Sequence, residues 1–342
     1  MVNFWKLPSA RLCFGAQILM VATVLLGAPF VSFRIYDPLL KDVILCVAGG
    51  LYFVVLCAIP GYKFKDDSSR TAMFLKAFSG RAMDAAAILI FAVLYVGTAA
   101  LLSYMAMSAG MPMQDALFAS VDKSLGLDWK GFVGFVNARP WLCSVLVWSY
   151  QNWNYQILFV IGLFLLQARQ SELWDFAALL VLGAISAVVF CGLMPAVAAY
   201  THHAPDAKLY DLIAQKQHEV GTVFLSDLLA VHSGTFKVFD WTKVNGIVTF
   251  PSFHAILAMA VVYAVRNDKF LFLPALVFNT LVCVSVVPVG GHYFVDVIGA
   301  GLSVLASIAL IDGCNGRTSM FERARRALAQ VAAGPLGRPA AL

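Results

Sequence analysis

The sequence predicts an all-α, polytopic transmembrane bundle of about eight spans, and three observations predict it. Apolar residues make up 61% of the chain and charged residues only 13%, against a soluble norm of about 25% charged. Apolar stretches near the ~20 residues that a spanning helix needs recur along its length. Lys and Arg concentrate on alternate connections, as expected when cytoplasmic loops retain positive charge.

Taken in order, the first stretch, 12–33, follows Lys6 and Arg11 in the manner of a secretory leader. Its end near Gly27-Ala28-Pro29 offers no small-x-small cleavage site, so it is read as a membrane helix. The others are 42–61, 85–107, 141–166, 176–199, 247–265, 270–288 and 292–311. Loop 62–84 is read as cytoplasmic, and two long segments, 108–140 and 200–246, as outer loops of the kind that carry function. In 108–140, Leu117, Val121, Leu125 and Trp129 recur at helical spacing among charged residues, which predicts a helix lying in the lipid interface, able to cap a site.

The fourth span carries Tyr150-Gln151-Asn152-Trp153-Asn154-Tyr155-Gln156, whose amides would be costly against lipid. They are read as facing a cavity that admits a headgroup or an acceptor's hydroxyls, with Tyr150 and Gln156 as substrate contacts. Interhelical hydrogen bonding without a ligand is the alternative. The seven cysteines show no metal-ligand spacing and read as small apolar fillers.

No linker or internal repeat divides the chain, so residues 1–316 read as one integral domain. Residues 317–342, with Arg317, Arg323, Arg325 and Arg326, read as a basic cytoplasmic tail on the anionic leaflet. With both termini inside, the cytoplasmic side carries about fifteen Lys and Arg against about eight acids, and the outer side about nine against about eleven. The net charge of +5 is therefore topological, and neither it nor the composition suits a nucleic-acid binder. An inner-membrane protein is the reading.

All six histidines (His202, His203, His218, His232, His254 and His292) fall on the outer side. Four belong to 200–246 and read as solvated residues, since no carboxylate or cysteine pattern accompanies them; no metal or cofactor is expected. His254 stands in Thr249-Phe250-Pro251-Ser252-Phe253-His254-Ala255, where Pro251 suits the first turn of a helix because its missing N–H costs nothing there. His292 follows Gly290-Gly291 and opens the last span. Two helix starts, with free N–H groups and positive ends, make an anion site. Asp296 lies four residues past His292, which puts both side chains on one helix face within hydrogen-bond reach. An ionisable carboxylate this far into an apolar span is expensive unless paired. It is read as orienting and charge-stabilising the imidazole, and a purely structural His–Asp pair is the alternative.

The segments Phe250-Pro251-Ser252-Phe253-His254-Ala255 and Gly290-Gly291-His292-Tyr293-Phe294-Val295-Asp296 resemble the second and third signature motifs of the type 2 phosphatidic acid phosphatase superfamily. They look most like its inositol phosphorylceramide synthase branch, the aureobasidin-resistance type of inositolphosphotransferase, and its bacterial relatives. The similarity is strong over about 245–300 and looser over the other spans. It implies a helical bundle with catalytic groups at the outer leaflet, in line with the charge count. It implies further that His292 attacks phosphorus to give a phosphohistidine, that Asp296 supports it, and that His254 protonates the departing oxygen. Ser252, Gly290 and Gly291, from the same motifs, are candidate phosphate contacts.

Two departures stand out. The phosphatases carry Lys-x6-Arg-Pro and a Ser-Arg pair seven and six residues before the nucleophile; here those two positions are Ser285-Val286. Arg139-Pro140 is the outer Arg-Pro, but seven residues before Arg139 stands Phe132, and Lys130 is out of register. With fewer guanidinium forks, a singly charged diester suits the site better than a dianionic monoester. Arg139 is the first candidate for replacement charge, with Lys130, Lys123 and Lys243 beside it.

The sequence thus points to transfer of a phospho-headgroup, by analogy phosphoinositol as in sphingolipid metabolism, from a phospholipid donor to a lipid or polyol hydroxyl. Hydrolysis of phosphatidic acid or a polyprenyl pyrophosphate by the same residues is the alternative. A non-enzymatic lipid transporter is a third reading, suggested only by the polar fourth span.

Overall fold

The computed structural model describes residues 6–203, 207–216 and 223–318. Three helices come first, α1 (Pro8–Gly27), α2 (Asp37–Lys63) and α3 (Arg70–Met107). Two short ones, α4 (Asp115–Ser124) and α5 (Trp129–Asn137), lead into α6 (Pro140–Gln151), α7 (Trp153–Leu166) and α8 (Gln170–Leu193). After α9 (Ala199–His203), α10 (Ala207–Lys216) and α11 (Val223–His232) the chain ends in α12 (Phe253–Ala264), α13 (Phe272–Ser285) and α14 (Phe294–Cys314). Two-residue strands β1 (Arg34–Ile35) and β2 (Val238–Phe239) pair in parallel and tie two connections together. They are too short to leave an alternating pattern in sequence.

All eight apolar stretches contain helix, and the all-α bundle is the observed fold. Among the described residues five segments are long and apolar enough to cross a membrane: Pro8–Phe30, Ile44–Lys63, Arg70–Met107, Gln170–Leu193 and Phe294–Cys314. α7, α12 and α13 are apolar but have only 14, 12 and 14 residues. α8 is the hub, packing on α1, α3, α12 and α14, whereas α2 lies against α3 at the edge. Half of the most apolar window of α8 is buried and none of that of α2, so α8 lies within the bundle and α2 on its outside.

Several boundaries differ from the expected ones. Ser69 accepts the Ala72 N–H and caps α3, which starts in what was expected to be loop 62–84. The fourth stretch breaks at Asn152, whose side-chain amide bonds the Trp148 carbonyl. Instead of one interfacial helix, Gly126, at φ +74°, ends α4 and the Asp128 carboxylate begins α5 by accepting the Gly131 N–H. Leu117 and Leu125 are exposed there, while Phe118, Asp122 and Trp129 are buried.

The sixth stretch is extended up to Ser252, because Pro251 precedes the cap instead of entering the helix. Residues 286–290 are likewise turns and 291–293 irregular, not helix. With 194–198 they form three non-helical segments inside the bundle at one end. Such backbone is tolerated at membrane depth only where protein or a cavity surrounds it.

The far end is held by charge. Asp175 of α8 takes hydrogen bonds from Ser9 and from Asn315, the latter at 3.1 Å, and pairs with Arg317 at 2.6 Å. Arg317, expected to lie on lipid, is thus bound to the bundle because buried carboxylates need partners. Arg323, Arg325 and Arg326 lie outside the described residues.

Candidate active site

The turn before α14 sets the position of His292. Gly291 has φ +71°, and a Cβ on Gly290 would come within 2.7 Å of the Val286 carbonyl oxygen and 3.0 Å of both the His292 and Tyr150 rings. Only glycine fits both positions. The Ala199 N–H donates to the Gly291 carbonyl at 2.8 Å, His292 N–H to the Val286 carbonyl at 3.1 Å, and the Trp129 indole N–H to the His292 carbonyl at 3.1 Å. The backbone on both sides of the imidazole is pinned.

His292 Nδ1 lies 2.9 Å from Asp296 Oδ2. The expected pairing forms, but not on a helix face: His292 precedes the cap residue Tyr293, and Asp296 sits in the first turn. The same Oδ2 accepts the Tyr293 N–H at 2.9 Å, so one carboxylate both caps the helix and holds the ring. Because an ionised carboxylate only accepts, Nδ1 carries the hydrogen and Nε2 keeps the lone pair.

His254 is the second residue of α12, begun by Ser252, whose hydroxyl accepts the Ala255 N–H at 3.5 Å. The Ser252 N–H donates to the Asp296 carbonyl at 3.1 Å and ties the two helix starts together. The broken helix pair supplies the walls around His254: the Tyr150 ring stacks on it at 4.8 Å and Trp153 meets it edge-on at 5.1 Å.

His254 and His292 line one cavity of about 290 Å³ with Tyr150, Gly290, Gly291 and Asn245. Its apolar side is built from α3 and α8, including Val96, Ala99, Ala184 and Ala187. Among the described lining residues there is no Lys, Arg, Asp or Glu.

The two helix starts differ. On α14 the N–H groups are taken, with Phe294 and Val295 donating to Asp122 of α4 at 2.9 and 2.8 Å. Only the start of α12, where Phe253 and His254 line the cavity and their N–H groups have no intrahelical acceptor, remains for an anion. Sequence reasoning expected both.

The outer helices bind this turn closely. Asp115 accepts the Tyr293 hydroxyl at 2.8 Å and the N–H groups of Val197 and Ala198. Asp122 is 2% exposed, and that burial raises its pKa above the usual carboxylate range, opposed by the two N–H groups it accepts. His203 stacks on Trp129 at 5.1 Å. Burial first, then the charges of His202 and Lys130, lower its pKa, so it stacks as neutral imidazole.

Of the other expected contacts, Tyr150, Gly290 and Gly291 reach the cavity and the rest do not. Ser252 is spent on capping. Gln156 pairs with Asn279 through both amide groups, at 2.7 and 2.8 Å, which is the interhelical alternative. Arg139 bonds the Phe135 carbonyl and lies 3.6 Å above its ring. Lys130 and Lys123 line a separate pocket with His203, and Lys243 pairs with Asp240. His203 and His232, expected to be solvated, have partners: His232 Nε2 lies 2.9 Å from the Met111 carbonyl. His218 lies outside the described residues. No three His, Cys, Asp or Glu side chains among the described residues group as metal ligands.

Sequence reasoning missed Asp115, Asp122 and Asn245, and read Trp129 only as part of an interfacial helix. An acid buried within an apolar helical repeat, as Asp122 is between Phe118 and Trp129, was the available signal for one of them.

A family description, PAP2 superfamily, matches residues 116–310, which takes in both histidines, Asp296 and the outer helices. No curated protein and no solved structure matches the chain.

Proposed function

The chain belongs to the PAP2 superfamily, and from that premise we propose that it is a membrane phosphotransferase, moving a phospho-headgroup from a phospholipid to a lipid or polyol hydroxyl. The observation that carries this reading is a cavity in which two histidines face an apolar wall without a single Lys or Arg among its described residues. A dianionic monoester asks for guanidinium forks, whereas a diester with one negative charge is matched by one helix start. The likeness of Phe250–Ala255 and Gly290–Asp296 to the inositol phosphorylceramide synthase branch supports phosphoinositol as the headgroup.

His292 Nε2 attacks phosphorus, the bond from phosphorus to the lipid oxygen breaks, and His254 gives that oxygen its proton. Asp296 stabilises the charge that appears on the His292 ring. The acceptor hydroxyl then attacks phosphorus as His254 takes its proton, and the phosphorus–nitrogen bond breaks to regenerate His292. Two displacements replace one difficult step, and positioning supplies most of the rate. The Lys and Arg asymmetry supports an inner-membrane chain with both termini in the cytoplasm and the cavity toward the outer face.

The test is purified protein with defined phospholipids, followed by mass spectrometry of the lipids and by phosphate release. A new diester product that disappears in His292→Ala is the expected outcome. Free phosphate alone makes the chain a hydrolase, and intact lipid crossing the bilayer without chemistry makes it a transporter.

A further inference from the structure

Beside the catalytic cavity lies a second pocket, of about 380 Å³, lined by Tyr36, Asp227, Phe236, Val238, Asp240, Lys243 and Val244. Val244 lines both spaces, and its neighbour Asn245 lines the catalytic cavity. Between them stands a polar node. Asp227 Oδ2 accepts the Tyr104 hydroxyl and the Asn245 side-chain amide, both at 2.9 Å, and the Tyr104 hydroxyl accepts the Asn245 N–H at 3.1 Å. Val244 is common to the pocket and to the chamber holding His254 and His292, and the Asn245 backbone beside it is pinned by these bonds.

The lining has the chemistry of hydroxyl recognition. Carboxylates accept from hydroxyl groups, and a phenol and an ammonium can donate to them. Asp240 is held by Thr242 and by Lys243 at 3.6 Å, which leaves the described lining one negative charge in excess. That balance disfavours phosphate, and the mix of acceptors with a phenol and an ammonium as donors suits the hydroxyls of a polyol. The other side of the catalytic cavity is apolar and built from membrane helices, so it suits the lipid donor. The two substrates then have separate approaches.

Resting on the transferase reading above, we propose that this pocket is the acceptor site and that the acceptor is a small neutral polyol, not a lipid alcohol. The polyol crosses at Val244 and Asn245, one of its hydroxyls attacks phosphorus on His292 and loses its proton to His254, and the phosphorus–nitrogen bond breaks.

The experiment uses the full chain in nanodiscs with a labelled phospholipid donor and, as acceptors, glycerol, myo-inositol or diacylglycerol. Headgroup transfer to a polyol is expected. Asp227→Asn raises the polyol KM about tenfold, as loss of one charge-assisted hydrogen bond implies, and leaves the donor KM unchanged. Since Asp227 also holds Tyr104 and Asn245, Asp240→Asn and Lys243→Gln repeat the measurement from the outer rim, where they move the polyol KM alone. Transfer to diacylglycerol with both polyols inert, or equal effects on the two KM values, overturns the proposal while leaving the transferase standing. A donor left uncleaved by the unaltered protein defeats the transferase reading instead.

Discussion

The helix starts that carry the two histidines are built in opposite ways. At α14 the backbone is occupied: Asp296 Oδ2 takes one backbone N–H and the imidazole, Asp122 takes two more N–H groups, and Trp129 holds the His292 carbonyl. At α12 the cap is a neutral serine, the N–H groups of Phe253 and His254 lack intrahelical acceptors, and His254 is held by ring contacts with Tyr150 and Trp153. A nucleophile must sit at one place with its lone pair aimed, and it gains from negative charge behind it. A proton donor beside an incoming anion needs a positive surrounding and room to follow the oxygen. The contrast is in keeping with the proposed roles, His292 as nucleophile and His254 as proton donor, without reference to their order in the chain.

The sharpest way to break the comparison is to remove each ring and vary the leaving group. His292→Ala is expected to lose at least about 10⁴-fold in turnover with any substrate, since no covalent intermediate forms. His254→Ala is expected to lose about 10²–10⁴-fold with a phospholipid. With a p-nitrophenyl phosphodiester, whose leaving group needs no proton, His254→Ala recovers most of its rate and His292→Ala does not. Recovery in the wrong variant would exchange the roles. Asp296→Asn falls next, at roughly 10²–10³-fold, because a neutral amide can neither fix the Nδ1–H tautomer nor balance the imidazolium. Its phosphoenzyme, trapped by quenching and measured by mass spectrometry, forms slowly but at the same residue.

Asp122 tests the charge behind α14 at longer range. Asp122→Asn is expected to lower kcat roughly tenfold, since an amide can accept only one of the two N–H groups with its oxygen while its NH2 faces the other. The pH dependence has two opposite signs. Burial raises the pKa of Asp122 in the folded chain, so its titration contributes stability that is fully present below the unfolded value of about 3.9 and is lost as pH rises through the raised one. On the proposed mechanism the ionised form holds the α14 turn, so kcat is expected to fall on acidification as Asp122 takes its proton, at a higher pH than for an unburied aspartate. Asp122→Asn removes that acid limb. An unchanged limb in the variant assigns it to another group.

What the sequence made legible follows from distance along the chain. The His292–Asp296 pair spans four residues, so spacing revealed it, although the geometry is a cap and not a helix face. Trp129 and Asp122 reach their partners 163 and 172 residues away, beyond any local periodicity. Helix lengths misled for a different reason. The expected spans took in 247–252 and 286–291, whose Ile247, Val248, Phe250, Val286, Val287 and Val289 are apolar, and hydropathy reports burial from water without reporting backbone geometry. Pro251 and Gly290-Gly291 mark the breaks once the cavity they border is known. The polar fourth span was read as one cavity wall, but its periodicity is interrupted at Asn152, so Tyr150 faces the cavity while Gln156 faces Asn279.

The smallest effects belong to the cations that the superfamily resemblance made attractive. Arg139 is engaged with Phe135, and Lys130 sits in a pocket with Lys123 and His203, outside the catalytic cavity. Arg139→Ala is expected to cost about 0.5–1 kcal/mol of stability from the lost ring contact, and Lys130→Ala less. In both variants kcat and the donor KM should stay within about twofold of the unaltered protein, the range of a surface change that touches no transition-state charge. The salt response sharpens the point. A phosphate held by exposed lysines or arginines loosens as ionic strength rises, whereas one held by a helix start inside a water-poor cavity is screened little. A donor KM that is flat in salt and indifferent to both substitutions leaves the first turn of α12 as the phosphate's positive partner. A steep salt dependence abolished by Arg139→Ala would mean that the outer helices close over the substrate, and the division between an occupied and an open helix start would then lose its chemical meaning.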